Sequence, residues 1–104
     1  MRSLTFLLVL FTSLAAFADD GGPSLYKGKA CVTCHGADGS GNTPTGKSLK
    51  AGDLRSAAVQ KQTDDQLAAT IANGKGKMPP FKSAMNAAQI KEVVTYIRAL
   101  AKKP

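Results

Sequence analysis

Both cysteines and the only histidine of this chain fall within five consecutive positions, Cys31-Val32-Thr33-Cys34-His35. That grouping admits three chemistries: a redox-active disulfide, a zinc site, or a haem held by thioether bonds. Each demands a different scaffold, so the remaining sequence selects among them. A thiol–disulfide exchanger sets its C-x-x-C at the start of a helix that follows a strand, and no strand-forming run precedes Cys31. A structural zinc site takes four ligands, mostly Cys and His. This chain offers three, and His35, adjacent to Cys34, is badly placed to converge with it on one small ion. Haem attachment uses the whole group. On a helical turn the two cysteines share one side, so both sulfurs can reach vinyl groups on neighbouring pyrroles while the next residue presents its imidazole to iron. Cys31 and Cys34 are therefore the expected anchors of one haem c, and His35 its proximal ligand.

The N-terminus bears on where this chemistry takes place. Met1-Arg2-Ser3 is followed by the apolar run Leu4–Ala18, ending small-x-small at Ala16-Phe17-Ala18, the pattern of a secretory signal peptide over residues 1–18. A bilayer span needs about 20 apolar residues; this run has 15 and contains Thr5, Thr12 and Ser13. Cleavage after Ala18 leaves residues 19–104 as one small domain with no transmembrane segment, exported to the periplasm or an equivalent compartment such as a thylakoid lumen. A chain of 86 residues builds a marginal core alone and usually adds a staple such as a metal or bound cofactor.

Residues 19–104 carry 13 of the 14 Lys and Arg and all 7 Asp and Glu, a formal charge of +6. The lysines are spread from Lys27 to Lys103 with no arginine cluster and few aromatics between them, which argues against a nucleic-acid partner. A lysine-rich surface suits a protein partner with an acidic docking face. A monomer is expected.

The chain reads as all-α, with three to five short helices and long loops. Asp19–Ser24 reads as a loose lead-in, and Leu25 to Lys29 with the cysteine segment as one short helix. Gly36–Asp53 is dense in Gly, Ser, Thr and Pro and reads as loop. Thr63 with Gln66 forms a capping box, and Asn73-Gly74 supplies a stop. Asn86 with Gln89 opens the clearest helix, where Ile90, Val93, Val94, Ile97, Leu100 and Ala101 repeat at intervals of three and four. No segment alternates with period two over a useful length. An irregular stretch of about 18 residues is uncommon in a compact domain unless it wraps or binds something, and a flat apolar ligand would complete the core.

A single histidine excludes bis-histidine ligation within the chain. Of the methionines beyond the leader, Met85 stands directly before the cap Asn86 and five residues before Ile90, the spacing of a hydrophobic staple. Met78, in "GKGKMPPF", lies in a loop fixed by Pro79 and Pro80 and is the expected second axial ligand. A ligating imidazole needs an acceptor for its other nitrogen. The Pro44 carbonyl is a candidate, although spacing alone leaves it level with an ordinary turn proline. Gly41–Ser48 matches the phosphate-loop pattern G-x-x-x-x-G-K-S, but that mechanism needs a strand before it and a helix after it. Here "HGADGS" precedes and "LKAGD" follows, so no nucleotide is expected.

Taken together, "LYKGKACVTCHGADGSGNTP", "NGKGKMPPF" and "IKEVVTYIRAL" resemble the class I c-type cytochromes of the small soluble bacterial kind, over about Leu25 to Ala101. The resemblance implies the cytochrome c fold, in which the first and last helices cross beside one covalently bound haem and Leu25 or Tyr26 packs near Tyr96 or Ile97. It implies thioether attachment through Cys31 and Cys34, axial His35 and Met78, and a hydrogen bond from His35 to the Pro44 carbonyl, which favours the functional reading of Pro44. It implies a one-electron carrier between redox protein partners, a membrane oxidoreductase or a terminal reductase or oxidase, rather than an enzyme. The alternative is a small haem enzyme or gas sensor with a labile sixth ligand. The sequence departs from the family in one respect: Tyr26 stands five residues before Cys31, where the family's aromatic usually stands four before, so a local adjustment of the first helix is expected.

Overall fold

The computed structural model describes residues 21–103; the leader expected over 1–18 lies outside them. Six helices follow in order: α1 Gly22–Gly28, α2 Cys31–His35, α3 Pro44–Leu49, α4 Ala57–Gln60, α5 Asp64–Asn73 and α6 Ala87–Leu100. Among the described residues the only extended pairing is an isolated bridge between Lys75 and Met78. The fold is all-α, with one helix more than the expected upper bound of five. The extra pieces are α3 and α4, of six and four residues, both inside stretches that read as loop or carry no apolar period. Their caps hold them, since the Thr43 and Ser56 side chains accept from the backbone of Gly46 and Val59.

The two capping boxes form as their residues require. Thr63 and Gln66 exchange hydrogen bonds of 2.9 and 3.1 Å at the start of α5, and Asn86 and Gln89 exchange bonds of 2.9 and 2.8 Å at the start of α6. Gly74 ends α5 at φ 76, a conformation open to glycine without a Cβ penalty. Ile90, Val93, Val94, Ile97 and Leu100 are all buried, so the apolar stripe of α6 is the spine of the core. Leu25, Leu67, Ile71 and Met85 pack with it. Met85 is 3% exposed and joins Ile90 in this cluster, as the staple spacing requires. Arg98, on the polar side of α6, donates to the Gln60 carbonyl at 2.8 Å, the Gln62 carbonyl at 2.6 Å and Asp64 Oδ1 at 2.9 Å. The guanidinium thereby occupies carbonyls at the end of α4 that its own ladder leaves without donors.

The first helix differs from the sequence reading in two ways. It begins at Gly22, inside the expected lead-in, with Pro23 in its first turn where the missing N–H costs nothing. It also stops before the cysteines, because Ala30 takes a left-handed φ of 65 between α1 and α2. That turn is the local adjustment between Tyr26 and Cys31. With it, Tyr26 still meets Tyr96 edge-on, ring centroids 5.1 Å apart and planes at 64°, a geometry that suits the ring quadrupoles. α1 and α6 form the most extensive helix pair of the fold.

Their crossing is close because Gly22 has no side chain. A Cβ there would collide with the Glu92 carbonyl oxygen and lie 2.8 Å from Tyr96 Cβ. Overpacking of this kind costs about 1–3 kcal/mol, so Gly22→Ala is expected to lower stability by that amount in chemical denaturation. Gly28→Ala, whose Cβ would meet nothing within 4 Å, should leave stability unchanged or raise it by up to about 1 kcal/mol through helix propensity.

Candidate cofactor site

A cavity of about 830 Å³ lies between α2, the 49–54 segment, α5, the 75–81 loop and α6. Its walls are mostly apolar, with Leu54, Val59, Leu67, Ile71, Val93 and Ile97 among them. Cys31, Cys34, His35 and Met78, distant along the chain in part, line this same cavity, while Pro44 does not. Lys29, Lys50, Lys75 and Lys77 also border it. No disulfide joins Cys31 and Cys34.

His35 Nδ1 lies 3.1 Å from the Gly52 carbonyl oxygen. A carbonyl only accepts, so Nδ1 carries the proton and Nε2 keeps its lone pair free to bind a metal. The expected acceptor, the Pro44 carbonyl, is thus corrected to Gly52. Pro44 sits in the first turn of α3, where a helical carbonyl points along the axis toward later N–H groups rather than sideways to a ring. The segment carrying Gly52 is held on both flanks. Ala51 N–H donates to Gly46 O at 2.8 Å, and Leu54 N–H to Gly39 O at 2.7 Å. Gln60 Nε2 donates to the Leu54 carbonyl at 2.6 Å. The neighbouring Asp53 is gripped by Arg55 Nε and Nη2 at 3.1 and 3.2 Å, and these bonds from Arg55 hold its carboxyl below the usual range.

Met78 is held through its backbone. Its N–H donates to Lys75 O at 2.9 Å, and its carbonyl accepts from Lys75 N–H at 3.1 Å. Gly74 permits this tight turn, since a Cβ there would stand 2.6 Å from Met78 O. Pro79 and Pro80 restrict the backbone beyond.

Sequence reasoning missed two further contacts. The Tyr26 hydroxyl donates to Gly36 O at 2.6 Å, tying α1 to the residue after His35. Burial of this ring pushes its phenol pKa well up, reinforced by the nearby Cys31, Tyr96 and Asp38, so it stays a donor. Thr43 Oγ1 reaches both Thr33 O and Cys34 O, at 2.8 and 3.1 Å. None of the three acceptors leaves a residue-type signal, because all are backbone carbonyls.

The donor set is that of a covalently anchored haem: two thiols at i and i+3, one imidazole with Nε2 free, one thioether, and apolar walls suited to a flat macrocycle. Known proteins agree. Residues 17–97 match the family model described as cytochrome c oxidase, cbb3-type, subunit III. A cytochrome c6 from Leptolyngbya boryana is 38% identical over 73 residues, 70% of this chain and 82% of that protein. A cytochrome c-555 from Methylococcus capsulatus is 31% identical over 78 residues, 74% of this chain and 58% of that protein. The solved structure of the KustC0563 c-type cytochrome superposes with a TM-score of 0.71 at 33% identity, over 79% of this chain and 99% of that one. The chain belongs to the small class I c-type cytochromes. Its cofactor is a covalently attached haem c, and its function is electron transfer rather than catalysis.

Removing the Tyr26 hydroxyl isolates its bond from its packing. Tyr26→Phe leaves the Tyr96 contact in place and is expected to cost about 1–2 kcal/mol, the worth of a buried hydrogen bond with an acceptor left behind. Urea denaturation of the holo-protein measures it.

Proposed function

We propose that this cytochrome is a soluble, monomeric one-electron carrier of the periplasm or an equivalent compartment, with His35 and Met78 as its axial ligands. The observation that carries the reading is that an imidazole with a free Nε2 and a backbone-clamped thioether line one apolar cavity. When bound, haem c supplies an iron that cycles between ferric and ferrous states, with a potential raised by His/Met ligation. The chain's residues do the rest. Cys31 and Cys34 anchor the group by thioether bonds, so it is retained through every redox state. The Gly52 carbonyl fixes the tautomer and orientation of His35. Met78, lining the cavity with its backbone clamped, would hold the iron at the position small molecules would otherwise use, as a carrier requires and a haem enzyme or gas sensor does not. The apolar walls exclude water, so little reorganises around a change of charge.

Lys29, Lys50, Lys75 and Lys77 border the cavity, and Lys47 and Lys82 are exposed on adjoining segments. This positive surround suits a redox partner with an acidic docking face, on a membrane oxidoreductase or a terminal reductase or oxidase. Export is supported by the leader-like residues 1–18. Among the described residues no helix is long and apolar enough to cross a membrane.

Two experiments test this reading. Haem-dependent peroxidase staining of a denaturing gel should light the wild-type band and each single Cys→Ser variant, and lose it when Cys31 and Cys34 are both serine; a stained double variant would contradict thioether anchoring. Stopped-flow transfer to an acidic partner should slow about 10–1,000-fold from low to high salt, and rates that stay flat would remove the lysine surround from the account.

A further inference from the structure

A five-residue helix does not stand alone in water, because nucleation costs more than one turn returns. α2 is such a helix. It has no side-chain cap at Ala30, and none of its residues is fully buried, yet it carries Cys31, Cys34 and His35. What holds it is at its other end. The carbonyls of Thr33 and Cys34 share the Thr43 hydroxyl proton, the His35 carbonyl accepts from Gly41 N–H at 2.7 Å, and the Gly36 carbonyl accepts from Tyr26.

Thr43 does more than cap. The same oxygen accepts from Gly46 N–H at 2.8 Å as the N-cap of α3. One hydroxyl thus joins the carbonyl end of α2 to the amide end of α3, the favourable pairing of opposite helix-end partial charges. The approach is tight: a Cβ on Gly46 would collide with the Cys34 carbonyl oxygen and stand 2.5 Å from that of Gly41. From α3 the chain turns through Lys50, at φ 57, and Ala51, whose N–H returns to Gly46 O, straight into Gly52. The element docked by Thr43 on the backbone of α2 is therefore the one that carries the acceptor for the ring of His35. This gives the Gly41–Ser48 stretch a role that the phosphate-loop pattern does not.

We propose that Thr43 is a positioning residue for His35, its hydroxyl setting the register between α2 and the Gly52 carbonyl and so the strength of the Nδ1–H···O bond. A stronger bond makes the imidazole a more basic ligand and favours ferric iron; loosening the register favours ferrous. The proposal rests on His35 being an axial ligand.

The test uses holo-protein carrying Thr43→Val, which keeps the shape and removes the hydroxyl, and Thr43→Ser, which keeps the hydroxyl. The readouts are hydrogen exchange of the His35 Nδ1 proton by NMR and the redox equilibrium with a fixed mediator. Thr43→Val is expected to speed exchange about tenfold and raise the reduced-to-oxidised ratio severalfold, while Thr43→Ser stays near wild type. Should Thr43→Val yield no holo-protein, Gly46→Ala, whose Cβ would crowd both the Cys34 carbonyl and Thr43 Oγ1, is expected to shift both readouts in the same directions. Wild-type exchange and equilibrium in Thr43→Val, even with a lowered Tm, would reduce Thr43 to an ordinary cap and overturn the proposal. So would Thr43→Ser behaving as Thr43→Val. Paramagnetically shifted His35 ring resonances in the ferric wild type check the ligand assignment separately; their absence would sink that reading and not the hydrogen-bond geometry.

Discussion

The hydrogen bond from His35 Nδ1 to the Gly52 carbonyl decides which imidazole nitrogen is left with a lone pair, and the rest of the site is arranged to keep it. It spans 17 residues of sequence, so it exists only if α2 and the 49–54 segment are both fixed. The chain fixes them with backbone groups and small polar side chains rather than with apolar bulk. Gly39, Gly41 and Gly46 let loop and helix lie against one another, and Thr43 and Gln60 satisfy the carbonyls that this irregular path exposes. A lost donor in such a network strands a carbonyl at a cost of about 1–3 kcal/mol if it is buried, so the parts hold each other.

The apolar half of the protein has a different task. α6 supplies five buried side chains in one stripe; α1 crosses it through Gly22, and α5 lays Leu67 and Ile71 against it. Val93, Ile97, Leu67 and Ile71 are also walls of the cavity. One set of residues is thus shared between the core and the cofactor site, which links folding to cofactor binding in a chain this short.

What could be read from the sequence was whatever depends on residue type at fixed spacing. Cys31, Cys34 and His35 announce their chemistry by proximity, the Thr63 and Asn86 boxes place two helix starts to the residue, and the period of α6 picks out its buried face. Met78 stands out because Met85 has another use in the core. The misses are of the opposite kind. A backbone acceptor has no residue signature, so Pro44 drew attention that belonged to Gly52. Ala30 in a left-handed conformation breaks a helix without the usual glycine. The one-turn helices α3 and α4 are too short to show a period. The start of α1 did carry a signal, Pro23 in its first turn, but it was hidden in a run of Asp and Gly that reads as loop.

The proposed carrier role requires His35 and Met78 together to fill both axial positions of the iron. Carbon monoxide binding to the ferrous holo-protein tests this most directly, with Met78→Ala as the comparison. Wild type is expected to bind the gas slowly or not at all while Met78→Ala binds it readily. Equal, rapid binding by both proteins would contradict that role.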